Sequence, residues 1–359
     1  MRYFCTYFDH HYLLRGLALY ESLKQHCPSF QLWVLCMDNS CYNILSQMKL
    51  LNMNLISVAD LEKSDLELLR AKRNRTLIEY YFTCTPSFLV FILSNHPEID
   101  IITYLDADLF FFADPEPIYA EIGDHSIAII EHRFPAYLHH MEQHGIYNVG
   151  WLSFRRDERA LTCLRWWRSQ CLEWCYDRVE HGRFADQKYL DDWPDRFHGV
   201  VVLHHRGANL APWNLPNYTI RGHGHRVCVD EQPLIFFHFH GFKQRRSWLY
   251  DPNLALFGVK LSKVVRSKIF APYIQMLNAV RREIPLQEVR SLPSGIRSGM
   301  TEFPVQENIS STSCGVGWLR GILNKLKLFL NPKYCAFVFH ELRLLFNLQY
   351  IIVIDKHVI

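Results

Sequence analysis

Two aspartates, Asp106 and Asp108, interrupt the apolar run "IITYLDADLFFFADP" at residues 101–115. A charged carboxylate buried without a partner in such surroundings is strongly unfavourable, so the pair either coordinates a cation or lies in a cleft or solvated turn. Carboxylate oxygens are hard ligands suited to Mg²⁺ or Mn²⁺, ions that commonly hold a substrate's phosphates at the same time. A second cluster, "PLIFFHFHGFKQRRSW", sets His238 and His240 on one side of a predicted strand, with Gly241 for a close turn and Lys243 within reach of a phosphate. Neutral imidazole can complete a metal shell, so the candidate ligands are Asp106, Asp108, His238 and His240.

Two further stretches mix polar side chains with Trp and Pro: "GRFADQKYLDDWP" (182–194) and "RGANLAPWN" (206–214). That composition suits a sugar, held by hydrogen bonds and aromatic stacking; Asp186 reads equally as an ordinary helix N-cap. "YNVGWLSF" (147–154) opens a strand with Asn148 and Gly150, either a bulge or a backbone that a ligand approaches.

The elements that must carry these residues begin with "RYFCTY" (2–7), "FQLWVLCM" (30–37) and "MNLISV" (53–58), apolar runs that read as strands. Between them, "LLRGLALYESLKQH" and "DNSCYNILSQMKLL" have helical spacing, the second with Asp38 as its cap. This βαβαβ order predicts a mostly parallel sheet covered on both faces, a Rossmann-like α/β class. A long amphipathic stretch from Arg75 to His96 leads into "DIITYL", which places the aspartates at the carboxyl end of a strand, where ligands of open α/β sheets sit. Apolar segments at 126–130, 149–154 and 234–239 are expected to extend the sheet, with a Trp-rich helix over 160–178. The expected division is a catalytic domain over 1–260, a helical extension and linker over 261–317, and a basic amphipathic segment over 318–359.

Length and composition agree with a folded, globular protein: 359 residues, 49% hydrophobic, 14% aromatic. Eleven cysteines without a CxxC pair fit neither a disulfide framework nor a zinc site, and point to a reducing compartment. The N-terminus lacks a signal-like apolar core and no stretch suggests a membrane span, so a cytoplasmic location is expected. Charge is uneven. Residues 260–359 carry 14 Lys and Arg against 6 Asp and Glu, while the preceding 259 carry 25 against 30. The basic end either rests on the anionic inner face of the cytoplasmic membrane or packs as a helical pair on the catalytic domain. There is no GxGxxG after the first strand, no P-loop and no GxSxG elbow, and the acidic body offers no nucleic-acid patch.

Taken in order, the motifs resemble the GT-A glycosyltransferases, in particular family 8, the group of glycogenin and bacterial lipopolysaccharide galactosyl- and glucosyltransferases. "CTYFDHHYLLRGLALYESL" is similar to that group's opening strand and helix, "YLDADLFFFADP" to its metal motif, "YNVGWLSF" to its Asn-x-Gly strand, "ADQKYL" to its Asp-Gln loop and "HFHGFK" to its closing His-x-x-Gly segment. The resemblance spans about residues 2–245. It implies a GT-A fold and the transfer of a sugar from a nucleotide diphosphate, UDP being the expected nucleotide, to a glycan or lipid-linked glycan in bacterial cell-surface polysaccharide or lipopolysaccharide synthesis. Retention of configuration is implied with it. The resemblance assigns Thr6, Tyr7, Asp9, Tyr12, Arg75, Asp106, Ala107 and Lys243 to the nucleotide, and Asp186, Gln187 and Asn148 to the donor sugar. Lys72 and Arg73 compete with Arg75 for the family's arginine ahead of the metal strand. Lys243 comes one residue early and is followed by Gln244 rather than Pro; His-x-x-Gly spacing favours His238 over His240 as ligand. A metal-dependent nucleotidyltransferase and a non-catalytic glycan-binding scaffold are the alternatives; the first lacks the Gly-rich basic loop expected after its opening strand.

Overall fold

The opening strand, β1 (Arg2–Phe8), is apolar along most of its length and buried on both sides, as a central parallel strand requires. In the computed structural model, which describes residues 1–224, 226–246, 248–285 and 352–353, it is followed by α1 (Leu13–His26), β2 (Phe30–Cys36), α2 (Asn39–Met48) and β3 (Met53–Ser57). Asp38 caps α2 by accepting from the Cys41 amide, as its sequence position suggests. Two short helices, α3 (Val58–Ser64) and α4 (Leu66–Ala71), precede α5 (Leu77–Asn95), which begins in a reciprocal capping box between Thr76 and Glu79. Next come β4 (Ile101–Leu105), β5 (Leu109–Phe111), α6 (Glu116–Ile122), β6 (Ile127–Glu131), β7 (Tyr147–Arg155), α7 (Glu158–Glu173), α8 (Trp193–Arg196) and β8 (Val200–Leu203).

Seven of these strands form the central sheet in the order β3-β2-β1-β4-β7-β6-β8. It is mostly parallel; only β7 runs against its neighbours β4 and β6. Helices cover both faces, so one core lies under α1 and α2 and the other under α5 and α7.

Later strands build small sheets: β9 (Ile220–His223), β10 (Arg226–Val229) and β11 (Gln232–Pro233) form one. Residues 234–239 do not extend the central sheet as expected. Instead β12 (Phe236–His238) pairs with β5 in a separate two-stranded sheet, while β8 takes the edge of the central one. A further sheet joins β13 (Lys243–Arg246), β14 (Leu249–Asp251) and, from the far end of the chain, β15 (Ile352–Val353). Beyond α9 (Lys263–Val265), α10 (Ala271–Glu283) sends Tyr273, Ile274, Leu277 and Val280 into the core shared with α1. Of the expected helical extension and linker over 261–317, residues 286–317 lie outside the described residues, and of the basic segment over 318–359 only Ile352–Val353 is described; Ile352 is buried.

By length and hydropathy alone α5 is long and apolar enough to cross a membrane, but 67% of its apolar stretch is buried inside the protein. It is a core helix against α7.

Candidate metal and substrate site

The site is assembled at the carboxyl end of β4. There the Asp106 amide donates to the Gly150 carbonyl (3.2 Å) and the Leu109 amide to the Asp106 carbonyl (3.1 Å), a tight turn that sends the chain into β5. Register does the rest. Leu109 stands opposite His238, and the Phe239 amide donates to the Asp108 carbonyl at 2.9 Å, so strand pairing brings the imidazole against the two carboxylates.

His238 Nε2 lies 3.1 Å from Asp108 Oδ1 and 3.6 Å from Asp106 Oδ2. All three residues are buried, and one ligand atom from each falls within 4.8 Å of the others. Asp106 has the Tyr104 hydroxyl as a donor at 2.9 Å. Asp108 Oδ1 and His238 Nε2 face one another without an aligned hydrogen bond, although a buried polar atom is seldom left so. Burial, only partly offset by His238, holds the Asp106 carboxyl up at about 6. For Asp108 burial is outweighed by His238, which holds its carboxyl down at about 2. Two carboxylates and one imidazole, converging and under-bonded, fit a hard divalent cation such as Mg²⁺ or Mn²⁺. His240 stays outside this cluster, its ring centroid 5.8 Å from that of His238.

In front of the cluster is a cleft whose polar lining is Tyr7, Asp106, His132, Asn148, Asp186, Gln187, His238 and His240, with Phe82, Val149, Phe184, Ala185 and Trp213 as its apolar part. Asp186 does not cap a helix. Its buried carboxyl accepts from the Thr85 hydroxyl at 2.9 Å, and burial, reinforced by the Asp106 charge, raises it to about 7. The Gln187 side chain lies between the His144 carbonyl (3.0 Å) and Asn148 (3.3 Å). In the second Trp-containing loop only Trp213 faces the cleft; the Asn214 amide is tied to the backbone at Asn209, Ala211 and His132.

Other expected residues lie outside the cleft lining. Thr6 is buried in β1 and Ala107 in the turn between the aspartates. Asp9 and Tyr12 lie in the turn after β1, outside the cleft lining; the Asp9 carboxylate accepts from the His11 and Tyr12 amides (2.9 and 3.1 Å) and from the Tyr81 hydroxyl (3.2 Å). Arg75 turns away from the cleft. Its guanidinium donates to the Cys171, Leu172 and Glu173 carbonyls at the end of α7 and stacks on Tyr176. Such carbonyls lack helical partners, which makes them ready acceptors for an arginine. Lys72 pairs with Glu62. Lys243 stands opposite Asp251 in β13, near enough to His240 for its charge to act there. Tyr104 was legible as the residue two before Asp106 on the same strand side, and Thr85 as one of the polar residues inside the apolar α5; nothing in the sequence marks His132.

No family model matches the sequence. It is 35% identical over 243 residues to the uncharacterized protein YfnD of Bacillus subtilis (strain 168), covering 67% of this chain and 78% of that one. To the uncharacterized protein YfnF of the same organism it is 36% identical over 248 residues, covering 67% and 81%. The chain belongs to the family of YfnD and YfnF. Among solved structures it is similar to the galactosyltransferase LgtC in complex with donor and acceptor sugar analogs (TM-score 0.49, 14% identity, 77% of this chain and 95% of that one). It is also similar to mouse xyloside xylosyltransferase 1 in its apo form (TM-score 0.42, 14% identity, 66% and 97%).

Proposed function

We propose that this member of the family is a metal-dependent glycosyltransferase moving a sugar from a nucleotide diphosphate, UDP being the expected nucleotide, to a hydroxyl of a glycan. The observation that carries the reading is the convergence of Asp106, Asp108 and His238 within 4.8 Å at a strand's carboxyl end, with Asp106 and His238 lining a cleft. Those three residues would hold Mg²⁺ or Mn²⁺. When bound, the cation supplies neutralisation of the charge that builds on the diphosphate as the glycosidic bond breaks. Thr6, Tyr7, Asp9 and Tyr12 would border the nucleoside, and Lys243 would donate to the departing phosphate. Asp186 and Gln187 would orient the sugar.

In the retaining form of the reaction the acceptor attacks from the leaving-group face, and a phosphate oxygen takes its proton. Asp186 favours a second, inverting reading, because a buried carboxyl raised to about 7 is matched to a general base near neutral pH. The product anomer, read by NMR, separates them: a β-linked product from a UDP-α-sugar assigns inversion.

A thermal-shift series with nucleotides and nucleotide sugars tests the function itself. UDP is expected to stabilise the protein only with Mn²⁺ present, and Asp106→Asn to abolish both that shift and metal-dependent UDP-sugar hydrolysis. No shift with any nucleotide would return the chain to the scaffold class. The basic segment over 318–359 is proposed to rest on an anionic membrane surface, which co-sedimentation with anionic and neutral liposomes checks; equal binding to both removes the idea.

A further inference from the structure

We propose that Asn148 and His132 are positioning residues that hold His238 with Nδ1 protonated and Nε2, the nitrogen left to ligate a cation, turned toward Asp106 and Asp108. The inference rests on the metal reading above and reassigns Asn148 from the donor sugar to the histidine.

A side-chain amide has two N–H groups and two acceptor lone pairs. In Asn148 each has a protein partner. Nδ2 lies 3.1 Å from His132 Nε2 and 3.3 Å from Gln187 Oε1, while Oδ1 lies 3.1 Å from the Gly150 amide nitrogen and 3.2 Å from His238 Nδ1. Nothing is left over for a sugar hydroxyl.

The direction of every bond follows from two backbone groups whose roles are not open to choice. The Gly150 N–H can only donate, so the atom facing it is the amide oxygen. His238 Nδ1, facing that same oxygen, must then carry a proton, and in the neutral ring Nε2 bears the lone pair. At the other end the Ile146 carbonyl can only accept, and it lies 3.2 Å from His132 Nδ1. His132 is therefore protonated at Nδ1, and its Nε2 accepts from Asn148. Polarity runs one way, from the Ile146 carbonyl through His132 and Asn148 to the ligating nitrogen of His238. An imidazole that binds metal through one nitrogen is commonly oriented through the other in this manner.

Packing locks the chain in place. His132 stacks on Phe134 at 4.8 Å and 9°, and Trp213 sets its ring edgewise to both His132 (5.2 Å) and His238 (5.3 Å). Gly150 is part of the device, since a Cβ there would come 2.5 Å from Asn148 Oδ1 and 3.1 Å from His238 Nδ1.

Two measurements on the full-length protein test it. Long-range ¹H–¹⁵N correlation spectra of the metal-free, ¹⁵N-histidine-labelled protein, with the resonance assigned by its loss in His132→Phe, are expected to show His132 as the Nδ1–H tautomer. The Nε2–H tautomer would overturn the proposal. Mn²⁺ affinity, followed by the EPR signal of the free ion, is expected to fall roughly 10- to 100-fold in Asn148→Leu and to stay within about threefold of wild type in Asn148→Asp, whose carboxylate still accepts from His238. His132→Phe should weaken Mn²⁺ binding about three- to tenfold alone but by less than about twofold in the Asn148→Asp background, because a carboxylate accepts through either oxygen and needs no orienting. Equal loss in both backgrounds would mean that His132 serves only packing, and the relay falls. If the His132 tautomer is as stated but wild type binds no Mn²⁺, the hydrogen-bond relay stands and the metal reading is what fails.

Discussion

Two neighbouring parallel strands, β1 and β4, each run into an acidic turn, and the two turns are bonded in opposite ways. The Asp9 carboxylate after β1 is well supplied, with two backbone amides and a tyrosine hydroxyl donating to it. After β4, Asp106 has one hydroxyl donor and Asp108 Oδ1 has only an unaligned imidazole, although both side chains are buried. A carboxylate given donors by the amides of its own turn and by a neighbouring helix holds that turn in place; one left short of donors in a buried place requires charge from elsewhere. Sequence alone shows an aspartate at a strand end in both places. Hydrogen bonds distinguish them.

The sharpest way to break this contrast is to neutralise each turn separately. Asp108→Asn is expected to lower Mn²⁺ affinity by at least about a hundredfold, and Asp9→Asn by less than about twofold, measured by calorimetric titration. Similar losses would mean that the number of donors does not separate the two roles.

A pH-dependent effect is expected at Asp186, whose hydroxyl donor does not offset its burial. Its folded-state carboxyl is raised to about 7 from an ordinary value near 3.8, so the folded protein holds a proton that the unfolded chain releases. Such a group withdraws stability as pH rises between those two values. In metal-free protein, Asp186→Asn should therefore match wild type near pH 4 and exceed it progressively up to about pH 7, by on the order of 4 kcal/mol in urea denaturation. A difference that does not change with pH would contradict the assignment.

The smallest effect is expected at Arg75, which binds the end of α7. Arg75→Ala should cost about 1–2 kcal/mol of stability and leave Mn²⁺-dependent UDP affinity unchanged. A selective loss of nucleotide affinity would restore the arginine to the phosphates.

Those contrasts also explain what was legible in the sequence. The βαβαβ opening could be read because buried parallel strands are unbroken apolar runs, and the Asp38 cap because capping is decided within four residues. The aspartate pair was conspicuous by its apolar surroundings. The pairing of β5 with β12 was not legible: three residues on each side, about 127 positions apart, carry no periodicity, and only the folded register shows that Leu109 meets His238. Arg75 and Asn148 were read by type and position, yet what each side chain does depends on partners far along the chain, the α7 carbonyls for one and His132 and His238 for the other. His132 gave no signal because a lone histidine before an arginine and a phenylalanine has no local meaning.

The missing side chain at Gly150 has an evolutionary consequence. Because that space is filled by the Asn148 oxygen and the His238 ring, positions 148, 150 and 238 are coupled by contact, with His132 hydrogen-bonded as the outer member. Descendants should keep the four together or lose them together. A chain that retains the paired aspartates but has a side chain at 150 is expected to have given up the histidine as well.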